Sequence, residues 1–88
     1  MAQSITTKAQ LKRLPVGHRL TLINSLMGPC NIPRTIQKVM SNQIVMLLDD
    51  GRTSHLYLDN GTKLEPTPQG FLMRTTDDKR IAAEYIVD

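Results

Sequence analysis

The sequence predicts a single domain that is mainly β with a short N-terminal helix, an α+β chain whose five to six strands form a small rolled antiparallel sheet or barrel. Three observations carry this expectation. Asp50-Gly51 lies between two runs rich in Ile, Val, Leu and Tyr, Gln43–Leu48 and Thr53–Leu58, the pattern of a tight hairpin. Further turn signals follow at nearly regular spacing, at Asp59-Asn60-Gly61 and at Thr76-Asp77-Asp78-Lys79. Only one segment, 7–14, combines helical spacing with a cap.

Taken in order, residues 1–6 read as a flexible tail. Thr7 followed by Gln10 has capping-box spacing. Leu11 and Leu14 then share one side of a short helix, with Lys8, Lys12 and Arg13 mostly elsewhere, and Pro15 and Gly17 stop it. Such a helix is too short to stand alone and must dock on the sheet. The β region spans 18–87. Arg19–Ile23 alternates as the first strand. Ser25–Pro33, with Gly28-Pro29 and Pro33 as breakers, reads as a nine-residue connection that is unusually apolar for a loop. Arg34–Ser41 carries both helical spacing and β-branched residues. Because only two helical turns would fit, strand is preferred.

In the central hairpin, a two-residue turn at Asp50-Gly51 sets Leu47 opposite Ser54 and Val45 opposite Leu56. The buried face would then carry Val45, Leu47, Leu56 and Leu58. Strand 43–48 is apolar on both sides, so it should be central and covered twice. Thr62–Glu65 reads as a short strand broken by Pro66 and Pro68, Gly70–Thr75 as a strand, and Arg80–Val87 as a strand in preference to a helix. A short helix followed by small strands joined by turns resembles SH3-like or OB-like barrels in architecture. No motif points to a particular family.

Eighty-eight residues with a 40% apolar fraction make one modest core. A homodimer would add burial, and the sequence neither demands nor forbids one. The single cysteine, Cys30, has no internal partner, and the N-terminus lacks the apolar stretch of a signal peptide, which together suggest a cytoplasmic protein. The longest apolar run, Ile44–Leu48, is far too short for a helix to cross a bilayer, so no membrane partner is expected. Charge is divided unevenly. Residues 1–48 carry Lys8, Lys12, Arg13, Arg19, Arg34 and Lys38 with no acid, whereas 49–88 carry five basic and eight acidic side chains, so the halves are +6 and −3. An acid-free basic half suggests an anionic partner.

Enzyme chemistry finds little support. Cys30, His18 and His55 lack the spacing of a nucleophile–base pair. No two Cys or His residues lie two to five apart, so no metal site is nominated. The paired aspartates belong to turns, and no phosphate-binding loop or cofactor motif occurs. The expectation is a non-enzymatic, cofactor-free module. Its six early cations would contact nucleic acid, or a protein of a nucleic-acid-handling complex, through the phosphate backbone, since the three aromatics Tyr57, Phe71 and Tyr85 offer few stacking platforms. The alternative is a phage- or plasmid-type inhibitor or adaptor. It would occlude a larger host protein through Leu26, Met27 and Ile32 of the 25–33 segment and through a His55/Tyr57 face.

Overall fold

The structure is a computed structural model that describes residues 2–88. It contains one helix, α1 (Lys8–Lys12), and seven strands: β1 (Arg19–Ser25), β2 (Gly28–Val39), β3 (Gln43–Leu48), β4 (Thr53–Tyr57), β5 (Thr62–Thr67), β6 (Gly70–Thr75) and β7 (Ile81–Val87). They form one antiparallel sheet in the order β4-β3-β2-β1-β7-β6-β5. The first and last strands are therefore neighbours, while the two edge strands, β4 and β5, are consecutive in sequence. Residues 58–61 are all that join them, so the sheet curls until its edges meet at one corner. There the Thr62 hydroxyl donates to the Tyr57 carbonyl (3.2 Å). The result is a half-barrel. Bulges between Leu22 and Asn24, Ile36 and Lys38, and Met73 and Arg74 supply local bends for the curl.

The expected helix is present, with Thr7 as its cap: the Thr7 hydroxyl accepts from the Gln10 amide at 3.0 Å. The return bond goes one residue further back than in a capping box, because the Gln10 side-chain oxygen accepts from the amide of Thr6 (2.9 Å). Leu11 is fully buried, so the helix plugs one end of the barrel. The loose tail expected over residues 1–6 is not loose from Gln3 onward, and Met1 lies outside the described residues. The Gln3 amide donates to the Val87 carbonyl and the Ile5 amide to that of Gly70. Ile5 is fully buried in the core. A lone apolar residue has no periodicity, which is why the sequence hides it.

Three expectations about the sheet need correction. The 25–33 segment is no loop: Leu26 and Met27 alone turn the chain, and β2 runs on for twelve residues. Its prolines are tolerated because β3 begins to pair only at Arg34. The stretch before it has β1 on one side and nothing on the other, where a missing N–H costs no ladder bond. Pro66 is accommodated in edge strand β5 for the same reason, which extends that strand to Thr67. Finally, the β3–β4 register is shifted by one: Val45 pairs with His55, and Leu47 with Thr53. The Gly51 amide bonds to the Leu48 carbonyl, the Leu48 amide to the Arg52 carbonyl, and Gly51 has φ +92°. This is a three-residue turn with glycine in the left-handed region, in place of a two-residue type I′ turn. One extra residue flips the strand, so Ile44 and Met46 join Leu56 and Leu58 in the core while Val45 and Leu47 face outward. β3 is thus covered once and lies next to an edge.

The core continues through Leu20, Leu22, Ile36, Phe71, Met73, Tyr85 and Val87. Phe71 and Tyr85 stack across β6 and β7 with centroids 5.2 Å apart. No helix among the described residues is long and apolar enough to cross a membrane.

Candidate functional site

The fold divides the six early cations among three settings. Lys8, Lys12 and Arg13 lie on and beside the helix plug. The Lys8 ammonium donates to the carbonyls of Asp59 (2.8 Å) and Thr62 (2.6 Å), and that of Lys12 to the carbonyl of Ser41 (3.0 Å). These bonds fasten the helix to the β2–β3 and β4–β5 turns, but a carbonyl cancels no charge, so both ammoniums remain cations at the surface. Arg13 is exposed, as is Lys38 near the same end of β2. Arg19 is different. It lies 3.6 Å from Asp49 in an exposed ion pair.

Arg34 is different again, since its side chain lies inside the half-barrel. Its Nη1 donates to the Ser54 hydroxyl (2.7 Å) and to the Tyr85 hydroxyl (2.8 Å), and its guanidinium carbon lies 5.9 Å from the Tyr85 ring centroid. The Nε atom is buried without a partner. The ion pairs among the described residues involve Arg19, Arg52, Arg74 and Arg80, so no carboxylate lies within 4 Å of Arg34. The sequence carries a signal for this placement. Ile32, Arg34 and Ile36 alternate on one face of β2, so an arginine interrupts a stripe of core residues.

Arg34 opens onto a cleft of about 250 Å3 between the free edge of β4 and the interior faces of β1, β6 and β7. Leu22, Leu56, Met73, Ala82 and Ala83 give it an apolar lining, and Ser25, His55, Tyr57, Thr62 and Tyr85 add polar groups. Burial pushes the Tyr85 phenol above its usual range, so it stays neutral. Accepting from Arg34 leaves its own hydrogen free to donate. At the edge, the Tyr57 carbonyl is turned away from β3 toward Thr62. By strand alternation the amide and carbonyl of His55 point the same way, out of the sheet.

The other expected contact residues fall around this cleft. Leu26 and Met27, 62% and 99% exposed, stand at the hairpin tip directly after Ser25, which lines one rim. His55 and Tyr57 line another; their rings stack at 6.2 Å and His55 Nδ1 lies 2.8 Å from the Gln43 side-chain oxygen. Ile32 does not belong with them. It is half-buried and packs against the core, because its position in β2 turns it inward. The sequence reasoning missed Ser54, Tyr85 and the interior role of Arg34. Cys30 is half-buried, with its thiol toward the Leu22 carbonyl (3.6 Å), and no group of three or more His, Cys, Asp or Glu among the described residues is placed to hold a metal ion. No family model, curated protein or solved structure matches the chain, so its geometry and chemistry carry the functional reading.

Proposed function

We propose that this chain is a small protein-binding module, an adaptor or inhibitor that docks on a larger partner through the rims of the β4 cleft. The observation that carries this reading is Met27, 99% exposed beside a 62% exposed Leu26 at the apex of a tight hairpin. Two large apolar side chains at a tip turned by two residues do nothing for the core. Flexible, polarizable methionine suits an adaptable contact, and Tyr57 across the cleft, 53% exposed, supplies an aromatic anchor of the kind that interfaces favour. The test is capture from a nuclease-treated host lysate with wild type and with Met27→Asp. The tip makes no core contact, so the variant should melt like wild type and lose the partner. Unchanged capture would remove the tip from the interface and the proposal with it.

A second reading has its own observation. Lys8, Lys12 and Arg13 on and beside the helix plug, and Lys38 toward the end of β2, have no carboxylate within 4 Å among the described residues, a footprint suited to contact with a nucleic-acid backbone. Phe71 and Tyr85 are spent in the core, which leaves Tyr57 for base stacking. A gel shift at low salt with DNA and RNA, repeated with Lys8, Lys12 and Arg13 changed to Glu, tests it. Binding would be lost in the variant and would fall steeply with salt; no shift for any nucleic acid would end this reading.

A further inference from the structure

We propose that the cleft is a carboxylate-binding site that receives an acidic side chain from an extended peptide segment of the partner, the carboxylate pairing with Arg34 while the peptide backbone pairs with His55 on the free edge of β4. The proposal rests on the protein-binding reading and adds the chemistry of what is bound. Arg34 is the starting point. A guanidinium drawn into a half-barrel loses hydration, and that loss is ordinarily offset by a carboxylate in bidentate contact. Here the intramolecular partners are two neutral hydroxyls, on Ser54 and Tyr85, and Nε has none. Both hydroxyls accept from Arg34 and so keep a hydrogen to donate. Guanidinium and hydroxyls together present donors with no acid among them, which is the complement of an oxyanion.

The rest of the cleft narrows the class. One positive charge matches a monoanion, and the lining from Leu22, Leu56 and Met73 favours an aliphatic stem behind it. At about 250 Å3 the space falls below the ~300–1,000 Å3 typical of small-molecule sites. One side chain, held from outside, fits better than a whole metabolite. The means of holding it is the β4 edge. That strand pairs with β3 on one side only, and the outward backbone groups of His55 offer the pairing used when an extended peptide adds to a sheet. Strand addition with an inward acidic side chain would satisfy edge and arginine together.

The test is a titration of 15N-labelled full-length protein, followed by amide and arginine Nε–H shifts, with four probes. These are the blocked pentapeptide acetyl-Ala-Val-Glu-Val-Ala-amide, the same peptide with Gln for Glu, an acetylated Ala-Val-Ala-Val peptide with a free C-terminal carboxylate, and butyrate. The Glu peptide should shift Arg34 Nε–H and the His55 amide and bind at least tenfold more tightly than the Gln peptide. Arg34→Met should abolish that preference while melting at or above the wild-type temperature, since it removes a desolvated charge. Equal binding of the Glu and Gln peptides, or no binding by either, overturns the proposal. Tighter binding of the free C-terminus, or butyrate as effective as the Glu peptide, overturns the side-chain source. If capture of the partner is lost in Met27→Asp but unchanged in Arg34→Met, the protein-binding reading stands and this inference falls.

Discussion

Replacing Gly70 by Ala should be among the most damaging conservative changes in the chain, and the structure gives its size. Gly70 opens β6 beside β7, paired with Ile86. A carbon added to its Cα would lie 2.0 Å from the Tyr85 carbonyl oxygen and 3.1 Å from the Val87 nitrogen. Real Cβ atoms essentially never approach closer than 3.0 Å, and the obstruction is backbone, so β6 and β7 must part by about 1 Å in an interior that packs like a crystal. Two hydrogen bonds sit on this spot, from the Ile5 amide to the Gly70 carbonyl and from the Val87 amide to that of Gln69, both 2.9 Å. Weakening both costs about 2 kcal/mol at roughly 1 kcal/mol each, and disturbing the adjacent Phe71–Tyr85 stack adds about 1 kcal/mol. A total near 3 kcal/mol corresponds to a fall in Tm of roughly 12–24 °C for a domain of this size. Thermal and urea unfolding monitored by circular dichroism would measure it. Gly61→Ala is the control, since its added carbon meets only a side-chain oxygen of Asp59, at 3.1 Å, and no backbone. If Gly70→Ala, like Gly61→Ala, melts within a few degrees of wild type, the close approach of Gly70 to the Tyr85 carbonyl is wrong.

Other outcomes follow from the same contacts. Leu11→Ala, which empties a fully buried site beneath the helix plug, should cost about 2–4 kcal/mol in urea unfolding. Asp49→Asn should change stability by less than about 0.5 kcal/mol, because its ion pair with Arg19 is long at 3.6 Å and exposed; a larger loss would contradict that geometry. Asp78 is held down to about 2 from 3.8, first by the Thr75 hydroxyl and then by Arg80. Its folded-state pKa lies below the unfolded value, so its contribution to stability is present above pH 4 and is lost as pH falls toward 2, and a carboxyl 13C titration should show that midpoint. Ser54→Asp would set a carboxylate against Arg34 from within the chain. It should raise Tm by several degrees, as an ion pair inside the half-barrel replaces a hydrogen bond from the same guanidinium to a neutral hydroxyl, and should exclude the acidic peptide; a lower Tm with peptide affinity unchanged would refute the assigned geometry.

Local chemistry made much of the fold legible before any coordinates. The Thr7 cap, the breaks at Pro15 and Gly17, and the alternation in Arg19–Ile23 are nearest-neighbour effects, and the elements stand where they point. What stayed hidden depends on neighbours distant in sequence. Pro29, Pro33 and Pro66 break a strand only where an adjacent strand needs the missing N–H, and which edges are free is a property of the whole sheet. Asp49-Asp50-Gly51 fits a turn of two residues or of three, and one residue of difference exchanged the inner and outer faces of β3. For the site, Leu26, Met27, His55 and Tyr57 were legible as exposed candidates. Their arrangement around one cleft was not, because it arises only when the curl brings Ser25 and β4 to facing rims of the same cleft.

The uneven charge of the two halves takes a different meaning once the strands are laid out. Asp49, Asp50, Asp59, Asp77 and Asp78 sit in turns, and three of them cap local amides: Asp50 that of Arg52, Asp59 that of Gly61 and Asp78 that of Arg80. Glu65 pairs with Arg74 on the outer face of β5 and β6, and Glu84 alternates with the inward Tyr85. Turn chemistry and strand parity thus keep the acids of the second half out of the barrel, while parity alone carries Arg34 of the first half into it. An overall charge of +3 describes neither place. The surface is a mixture of ion pairs and stray lysines, but the cleft holds one cation and no acid. An electrostatic preference should therefore be sharper there, where the dielectric is low and a single carboxylate changes the balance, than across the outer face, where salt screens each charge from the next.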